Sequence, residues 1–229
     1  MADPRVLSRF FFLATVKMLS QAFLSFTVEW VGRRPRRAFK DARIVLLLNH
    51  TSLFEPVFLA LVPYRFLWAV AKQGLIPGAD STLDRPVAGR IFKWMAPEVV
   101  SVTRNRDRTW TDFIARVEEG AIVIMSPEGR MKRPTGLDKY GRPMTMRGGI
   151  ADVLDKKKDG SLLILYSGGL HHVQAPGEPF PKLFRRVYAR LEEIKIPHYK
   201  DLHRHGTPDF RKNVMTDLER RRDQHCRWD

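Results

Sequence analysis

The chain has 229 residues, of which 44% are hydrophobic, enough for one large domain with a substantial core. Its formal charge of +15 at pH 7 favours an anionic partner, which can be a membrane, a nucleic acid or an acidic ligand. The single cysteine, Cys226, excludes an intrachain disulfide and fits a reducing compartment.

The first predicted element is a long apolar helix over residues 6–32 ("VLSRFFFLATVKMLSQAFLSFTVEWVG"). Its polar residues Arg9, Lys17, Gln21 and Glu29 interrupt the run of roughly 20 apolar residues that a spanning helix needs. The same interruptions disfavour a cleaved signal peptide. An amphipathic helix packed on the domain remains open as an alternative.

A basic cluster follows this helix at residues 32–40 ("GRRPRRAFK"). An apolar helix with adjacent basic residues is typical of an interfacial anchor, and each basic residue contributes about 1 kcal/mol of attraction to an anionic leaflet. The sequence therefore predicts a membrane-associating segment at 1–40 and a main domain at 41–229. The expected location is the cytoplasmic face of the cell membrane, with monotopic or peripheral attachment.

Downstream, short apolar runs alternate with helical patterns. The predicted strands are 43–48, 66–71, 99–103, 121–126, 161–167 and 186–191. The predicted helices are 52–62, 87–96, 108–119, 147–157 and 208–226. This alternation predicts one α/β domain, in which a mostly parallel or mixed central sheet is covered by helices on both faces.

Reactive side chains follow three of these strands. His50 comes directly after the first, Arg104 after the third, and "SPEGR" (126–130) after the fourth. Because ligand chemistry in α/β folds concentrates just past the strand ends, these residues are the site candidates.

His50 and Glu55 lie five residues apart in "NHTSLFEP". A carboxylate on one imidazole nitrogen fixes the tautomer and stabilises the imidazolium, so the other nitrogen is able to take a proton from a hydroxyl. A structural histidine is the alternative, because this spacing alone is weakly specific.

Arg104 and Arg130 are candidates for holding a phosphate group through forked, charge-assisted contacts. Pro127 and Gly129 on either side of Glu128 predict a tight turn that lets the backbone approach a ligand. A solvated basic loop is the alternative reading of this segment.

The order of four segments resembles the motifs of the glycerophospholipid acyltransferase superfamily, the lysophosphatidic acid acyltransferase-like enzymes. The segments are "NHTSLFEP", "VTR" (102–104), "SPEGR" and "RGGIADVL" (147–154). The resemblance runs from about residue 43 to 170. It implies an α/β acyltransferase domain at 41–229, with acyl transfer from acyl-CoA or acyl carrier protein to a lysophospholipid hydroxyl. The implied acceptor is 1-acyl-glycerol-3-phosphate.

The resemblance also implies residue roles. His50 becomes the general base and Glu55 its partner, while Arg104 contacts the acceptor phosphate. The remaining implied site residues line the acceptor site or shape the turn: Glu128, Gly129, Arg130, Asn49 and Ser52. No metal, cofactor or covalent enzyme intermediate is implied, and no nucleic-acid partner is expected.

The motifs depart from the family in ways that affect substrate more than chemistry. Glu55 replaces the usual aspartate, Ser126 the usual phenylalanine, and Arg130 lies one position closer to Glu128 than the family's arginine. Acylation of another lysolipid or of glycerol 3-phosphate therefore stays open. So do two other readings: a hydrolase, and a non-catalytic basic module that binds membrane or nucleic acid.

Overall fold

The structure is a computed structural model that describes residues 3–84, 86, 88–103, 105–178 and 180–226. Seven strands form one mixed sheet in the order β1-β7-β6-β2-β5-β3-β4. The strands are β1 (Ser25–Trp30), β2 (Ala42–Leu48), β3 (Gly74–Ala79), β4 (Glu98–Val102), β5 (Ile122–Met125), β6 (Ser161–Ser167) and β7 (Arg186–Lys195). This architecture confirms the predicted α/β class.

Five neighbouring strands, from β6 to β4, run parallel, whereas β7 is antiparallel to β6 and β1 is parallel to β7. The carboxyl ends of β2, β5 and β6 therefore lie at the same edge as the amino ends of β1 and β7. This edge, called the active edge below, carries the site candidates.

Helices cover both faces of the sheet. They are α1 (Pro4–Phe23), α2 (Tyr64–Gln73), α3 (Asp80–Leu83), α4 (Ala88–Met95), α5 (Arg108–Ala115), α6 (Gly149–Lys156), α7 (Ile196–Leu202) and α8 (Phe210–His225), with a 3₁₀ helix at Glu55–Leu61.

Strand β2 shows how the sequence builds the two layers. Ile44, Leu46 and Leu48 pack into the core beneath α5, α6 and α8, while Val45 and Leu47 pack toward the 3₁₀ helix and α2. Side chains alternate across a strand, so a continuous aliphatic run is needed to fill both cores.

Helix α1 confirms the predicted N-terminal apolar helix but ends at Phe23, earlier than expected. By length and composition it is the one helix in the described parts of the chain that could cross a membrane. Its polar side chains contribute to docking, since Lys17 Nζ and Gln21 Nε2 donate to the carbonyl of Ala60 at 2.6 and 3.0 Å.

The residues after α1 form β1 instead of continuing the helix. Ser25–Trp30 pairs in register with Arg186–Leu191 of β7, so part of the 1–40 segment belongs to the sheet. Alternation of small, β-branched and aromatic residues in "SFTVEW" suits an edge strand, although its apolar content resembled a continued helix.

The strand predicted at 66–71 is wrong, because those residues lie within α2. Pro63 precedes that helix, and Phe66, Leu67, Val70 and Ala71 are buried at helical spacing. The strand of this region is β3, which sequence reasoning missed. The helix predicted at 52–62 is a 3₁₀ helix over Glu55–Leu61, and a short α7 and α3 were not predicted.

Candidate active site

The site forms where β2 and β5 end side by side. Their parallel register pairs Ile44 with Val123 and Leu46 with Met125, so the chain leaves both strands at the active edge. The segments that follow are Asn49–His50 and 126–130. The parallel pairing of β2 with β5 is therefore what brings these two motifs next to each other.

Asn49 makes the turn that follows β2. Its φ of 65° lies in the left-handed region, which asparagine tolerates better than most residues. Its side-chain Nδ2 donates to the carbonyl of Ser167 at 3.0 Å, tying the turn to the end of β6. The structure thus places Asn49 in the turn after β2, the position that the sequence indicated.

Glu128 holds the backbone of this turn. Its Oε1 accepts the Asn49 N–H at 3.1 Å, and its Oε2 accepts the His50 N–H at 2.8 Å. The side chain is 1% exposed and does not line the large cavity described below. Glu128 therefore supports the His50 backbone, whereas the resemblance implied that it lines the acceptor site.

Arg222, near the end of α8, supports Glu128 in turn. Its Nη1 lies 3.7 Å from Glu128 Oε1 and donates to the carbonyl of Met144 at 2.9 Å. Burial raises the pKa of Glu128, while the hydrogen bond from His50 and the positive charges of His50 and Arg222 oppose that rise. Sequence reasoning missed Arg222, which lies far along the chain in a segment rich in arginine.

His50 and Glu55 are in contact. His50 Nδ1 lies 2.6 Å from Glu55 Oε1, because Glu55 opens the 3₁₀ helix just beyond the turn. Burial by itself lowers the pKa of His50, but the charge and hydrogen bond of Glu55 and the charge of Glu128 raise it above its ordinary value. With Nδ1 engaged, Nε2 is the ring nitrogen positioned to exchange a proton with a ligand.

Thr51 and Ser52 fasten the turn to the loop after β6. Thr51 Oγ1 accepts the N–H of Leu170 at 2.8 Å, and Ser52 Oγ donates to Gln174 Oε1 at 2.9 Å. Ser52 also accepts the N–H of Phe54 at 3.1 Å. Both hydroxyls thus position His50 and Glu55 from within the fold.

Gly129 and Arg130 have different surroundings. Gly129 has a φ of 62°, which only glycine adopts easily, and it lines the cavity beside His50. Arg130 forms a hydrogen-bonded ion pair with the buried Asp138, and its own side chain is 10% exposed. In this arrangement Arg130 fastens the loop that follows "SPEGR".

Arg104, the predicted phosphate contact, lies outside the described residues. Two other basic residues are tied to the motif segments through their backbones: the Lys132 N–H donates to the His50 carbonyl at 2.7 Å, and the Arg147 N–H donates to the Pro127 carbonyl at 2.7 Å. No group of three or more histidine, cysteine or acidic residues that could hold a metal occurs in the described ranges.

His50 and Glu55 line an apolar cavity of about 220 Å³. It extends over the face of the sheet beneath the 3₁₀ helix, α2 and α4. Residues from six strands line it, including Leu191, Leu165, Leu47, Ile124, Ile76 and Val99. From β7 to β4 the sheet order counts five interstrand steps, about 24 Å at ~4.8 Å each.

Comparison with known proteins agrees with this geometry. A family model described as acyltransferase matches residues 27–161, more than half of the chain. The fold is similar to the crystal structure of the 1-acyl-sn-glycerophosphate (LPA) acyltransferase, PlsC, from Thermotoga maritima, with a TM-score of 0.59 and 18% sequence identity. That similarity covers 98% of this chain and 83% of that chain. No curated protein matches the sequence.

Proposed function

The chain belongs to the acyltransferase family, and from this premise we propose that it transfers a fatty acyl group from an acyl thioester to a lysophospholipid hydroxyl. The donor is acyl-CoA or acyl carrier protein, and the acceptor is 1-acyl-glycerol-3-phosphate. The observation that carries the proposal is the His50–Glu55 pair in the lining of an apolar cavity.

In the proposed reaction His50 is the general base. Its Nε2 takes the proton of the acceptor hydroxyl as the hydroxyl oxygen attacks the thioester carbonyl carbon. When the tetrahedral intermediate collapses, the carbon–sulfur bond breaks and the imidazolium returns the proton to the leaving thiolate. Glu55 holds the imidazole by Nδ1 and stabilises its charged form, as the 2.6 Å contact and the raised pKa of His50 support.

The apolar cavity is the proposed site of an acyl chain. His50 lines the cavity where β2 ends, so an acyl chain lying there is able to present its carbonyl end, or the glycerol end of a lysolipid, to Nε2. Burying an aliphatic chain there contributes about 0.8 kcal/mol per methylene. The contact between a long-chain substrate and the sheet face would supply much of the binding energy.

The phosphate of the acceptor is proposed to meet basic side chains at the active edge. We propose Arg104 for this role because it follows β4 in the sequence. Lys132 and Arg147 flank the motif segments. Because Arg130 is paired with Asp138, we assign it to fastening the loop and not to binding the phosphate. Glu128, Asn49 and Ser52 position the turn.

We place the enzyme at the cytoplasmic surface of an anionic membrane, where lysophospholipids reside. The exposed apolar side chains of α1 and the basic cluster that follows it support this placement. A cofactor is not required, because the thioester supplies the driving force.

Product identification tests the proposal. The protein is incubated with radiolabelled acyl-CoA or acyl carrier protein and a panel of lysolipids and glycerol 3-phosphate, and the lipid products are resolved by chromatography. We expect diacylated phosphatidic acid from 1-acyl-glycerol-3-phosphate. Release of free fatty acid as the sole product would identify a hydrolase, and acylation of another lysolipid alone would replace the proposed acceptor.

A further inference from the structure

The loop Phe180–Arg186 lies at the active edge, between the end of α1 and the start of β7. The N–H of Phe184 donates to the carbonyl of Phe23 at 2.7 Å, and their rings meet edge to face at 6.0 Å. The N–H of Ser25 donates to the carbonyl of Arg185 at 3.1 Å. The loop is therefore joined to the C-terminal end of α1.

The same loop is connected to the active-site turn. The N–H of Lys182 donates to the carbonyl of Val173 at 2.7 Å, and the neighbouring Gln174 accepts a hydrogen bond from Ser52. These hydrogen bonds connect the loop, through residues 173–174, with the turn that carries His50.

Three large apolar side chains of this loop face solvent. Phe180 is 79% exposed, Phe184 is 76% exposed and Leu183 is 48% exposed. The exposed side chains of α1 lie at helical spacing on one side of that helix and continue toward the loop: Leu7, Phe11, Met18, Leu19 and Phe23. A cluster of exposed apolar residues of this kind marks a protein or membrane contact.

The backbone at Phe184 is strained. Its φ is 58°, a left-handed conformation that is unusual for a bulky aromatic residue. Such strain persists where the surroundings impose it, often at functional positions. The Phe184 ring contacts Phe23 at its edge, but most of its surface is left in solvent.

The charge of the loop decides which partner fits. Between Phe180 and Arg186 there are three basic residues and no acidic one. Lys182 pairs with Glu178, while Arg185 and Arg186 are exposed. Two aromatic residues and a leucine together with three basic residues are a composition that suits the headgroup region of an anionic bilayer.

We propose that the loop Phe180–Arg186 is a second membrane-binding element, which inserts Phe180, Leu183 and Phe184 into an anionic bilayer while Arg185 and Arg186 contact lipid phosphates. The proposal rests on the proposed action at a membrane surface and extends it beyond α1. Together, α1 and the loop would set the active edge against the bilayer, so that a lysolipid reaches His50 without crossing water.

Vesicle co-sedimentation of the full chain tests this proposal, with vesicles of equal parts phosphatidylglycerol and phosphatidylcholine. We expect the Phe180→Ser/Leu183→Ser variant to bind on the order of tenfold more weakly, because apolar burial is lost. Arg185→Gln/Arg186→Gln should weaken binding roughly fivefold for each arginine at low salt, and much less at high salt.

Phe184→Gly separates a membrane role from a structural one. Glycine relieves the left-handed strain. We therefore expect the melting temperature of the variant to stay equal or rise while its binding to vesicles weakens. A marked fall in melting temperature, with vesicle binding unchanged, would show that the ring stabilises the fold and would overturn its assignment to the membrane.

Leu202→Ser is the matched control. Leu202 is a 55% exposed leucine at the end of α7, after the carboxyl end of β7 and hence at the opposite edge of the sheet. The Leu202→Ser protein should bind vesicles as tightly as the unmodified chain does. Equal weakening by Leu202→Ser, or unchanged binding by Phe180→Ser/Leu183→Ser, overturns the proposal.

A transfer assay separates this proposal from the proposed function. With a detergent-dispersed acceptor, the loop variants should retain acyl transfer. Among the residues that the structure describes, none of the loop hydrogen-bonds to His50 or Glu55 or lines the cavity beside them. An unmodified chain that binds vesicles through the loop but transfers no acyl group would contradict the proposed function and leave the loop proposal standing.

Discussion

Glu128→Gln perturbs the backbone support of His50 without changing the size of the side chain. The two carboxylate oxygens accept the N–H groups of Asn49 and His50 at 3.1 and 2.8 Å. An amide has one accepting oxygen, so its NH₂ group must face one of these two donors. One buried N–H is then unsatisfied, and Arg222 loses its charged neighbour.

The expected loss of stability follows from these contacts. A buried N–H without an acceptor costs about 1–3 kcal/mol, and loss of the charge beside the buried Arg222 adds to it. We expect the free energy of unfolding in urea to fall by about 2–4 kcal/mol. Because the His50 N–H anchors the ring, a shift of about 1 Å should lower kcat on the order of 10²-fold in the folded variant.

A double-mutant cycle with Arg222→Met isolates the contact between these residues. The two single variants should be coupled, by about 0.5–3 kcal/mol, since the side chains share one buried ion pair. The control is Glu219→Gln, which keeps an accepting oxygen for the hydrogen bond from the Met146 N–H at 2.8 Å. Like Glu128→Gln it removes a negative charge that acts on Arg222, so the control isolates the loss of the second accepting oxygen. A Glu128→Gln protein with unchanged stability and turnover would refute this reasoning.

Three further expectations concern the pair at the site, the loop after it and the basic cluster. Glu55→Gln removes a main cause of the raised His50 pKa, so kcat should fall and the acid limb of the pH–rate profile should move to lower pH. Because a raised histidine pKa stabilises the fold only while the ring is protonated, that variant should lose more stability below about pH 6.5 than well above it. Arg130→Ala and Asp138→Asn should each destabilise the fold by about 3–5 kcal/mol, less than additively together; a rise confined to the KM of the phosphate acceptor would instead make Arg130 a substrate contact. Changing Arg33, Arg34, Arg36 and Arg37 to glutamine should weaken binding to anionic vesicles and reduce its salt dependence, while an unchanged salt titration would contradict the role of this cluster.

The parts of the fold that sequence predicted well are those with one dominant local signal. Strand β2 is a continuous aliphatic run, which a sheet covered on both faces requires, and it ends where Asn49 turns the chain. The contact of His50 with Glu55 was predictable because both residues lie in one turn and the spacing is local.

The strand predicted at 66–71 failed because a short apolar run does not distinguish strand from buried helix. Strand β3 was missed because "GLIPGA" contains two glycines and a proline, which are residues that strands disfavour. It forms because β4 pairs along its length, while β5 pairs only Gly74 and Leu75, leaving Pro77 beyond that ladder. Pairing between distant segments overrode local propensity.

The roles of Glu128 and Arg130 depended on where their side chains point. The motif indicated that they lie near the site, but the burial of Glu128 and the partner of Arg130, Asp138, depend on tertiary packing. Arg222 reaches Glu128 only because α8 packs back along the sheet, a contact between residues 94 positions apart in numbering. No spacing rule connects such residues.

Acyl transfer by the His50→Ala protein tests the central claim most directly. Transfer from labelled acyl-CoA to 1-acyl-glycerol-3-phosphate would be followed in a single turnover, alongside urea unfolding of the same preparation. We predict a folded variant whose rate is lower by about 10²–10⁴-fold, the usual contribution of general base catalysis. A folded His50→Ala protein that transfers the acyl group at the unmodified rate would contradict the account.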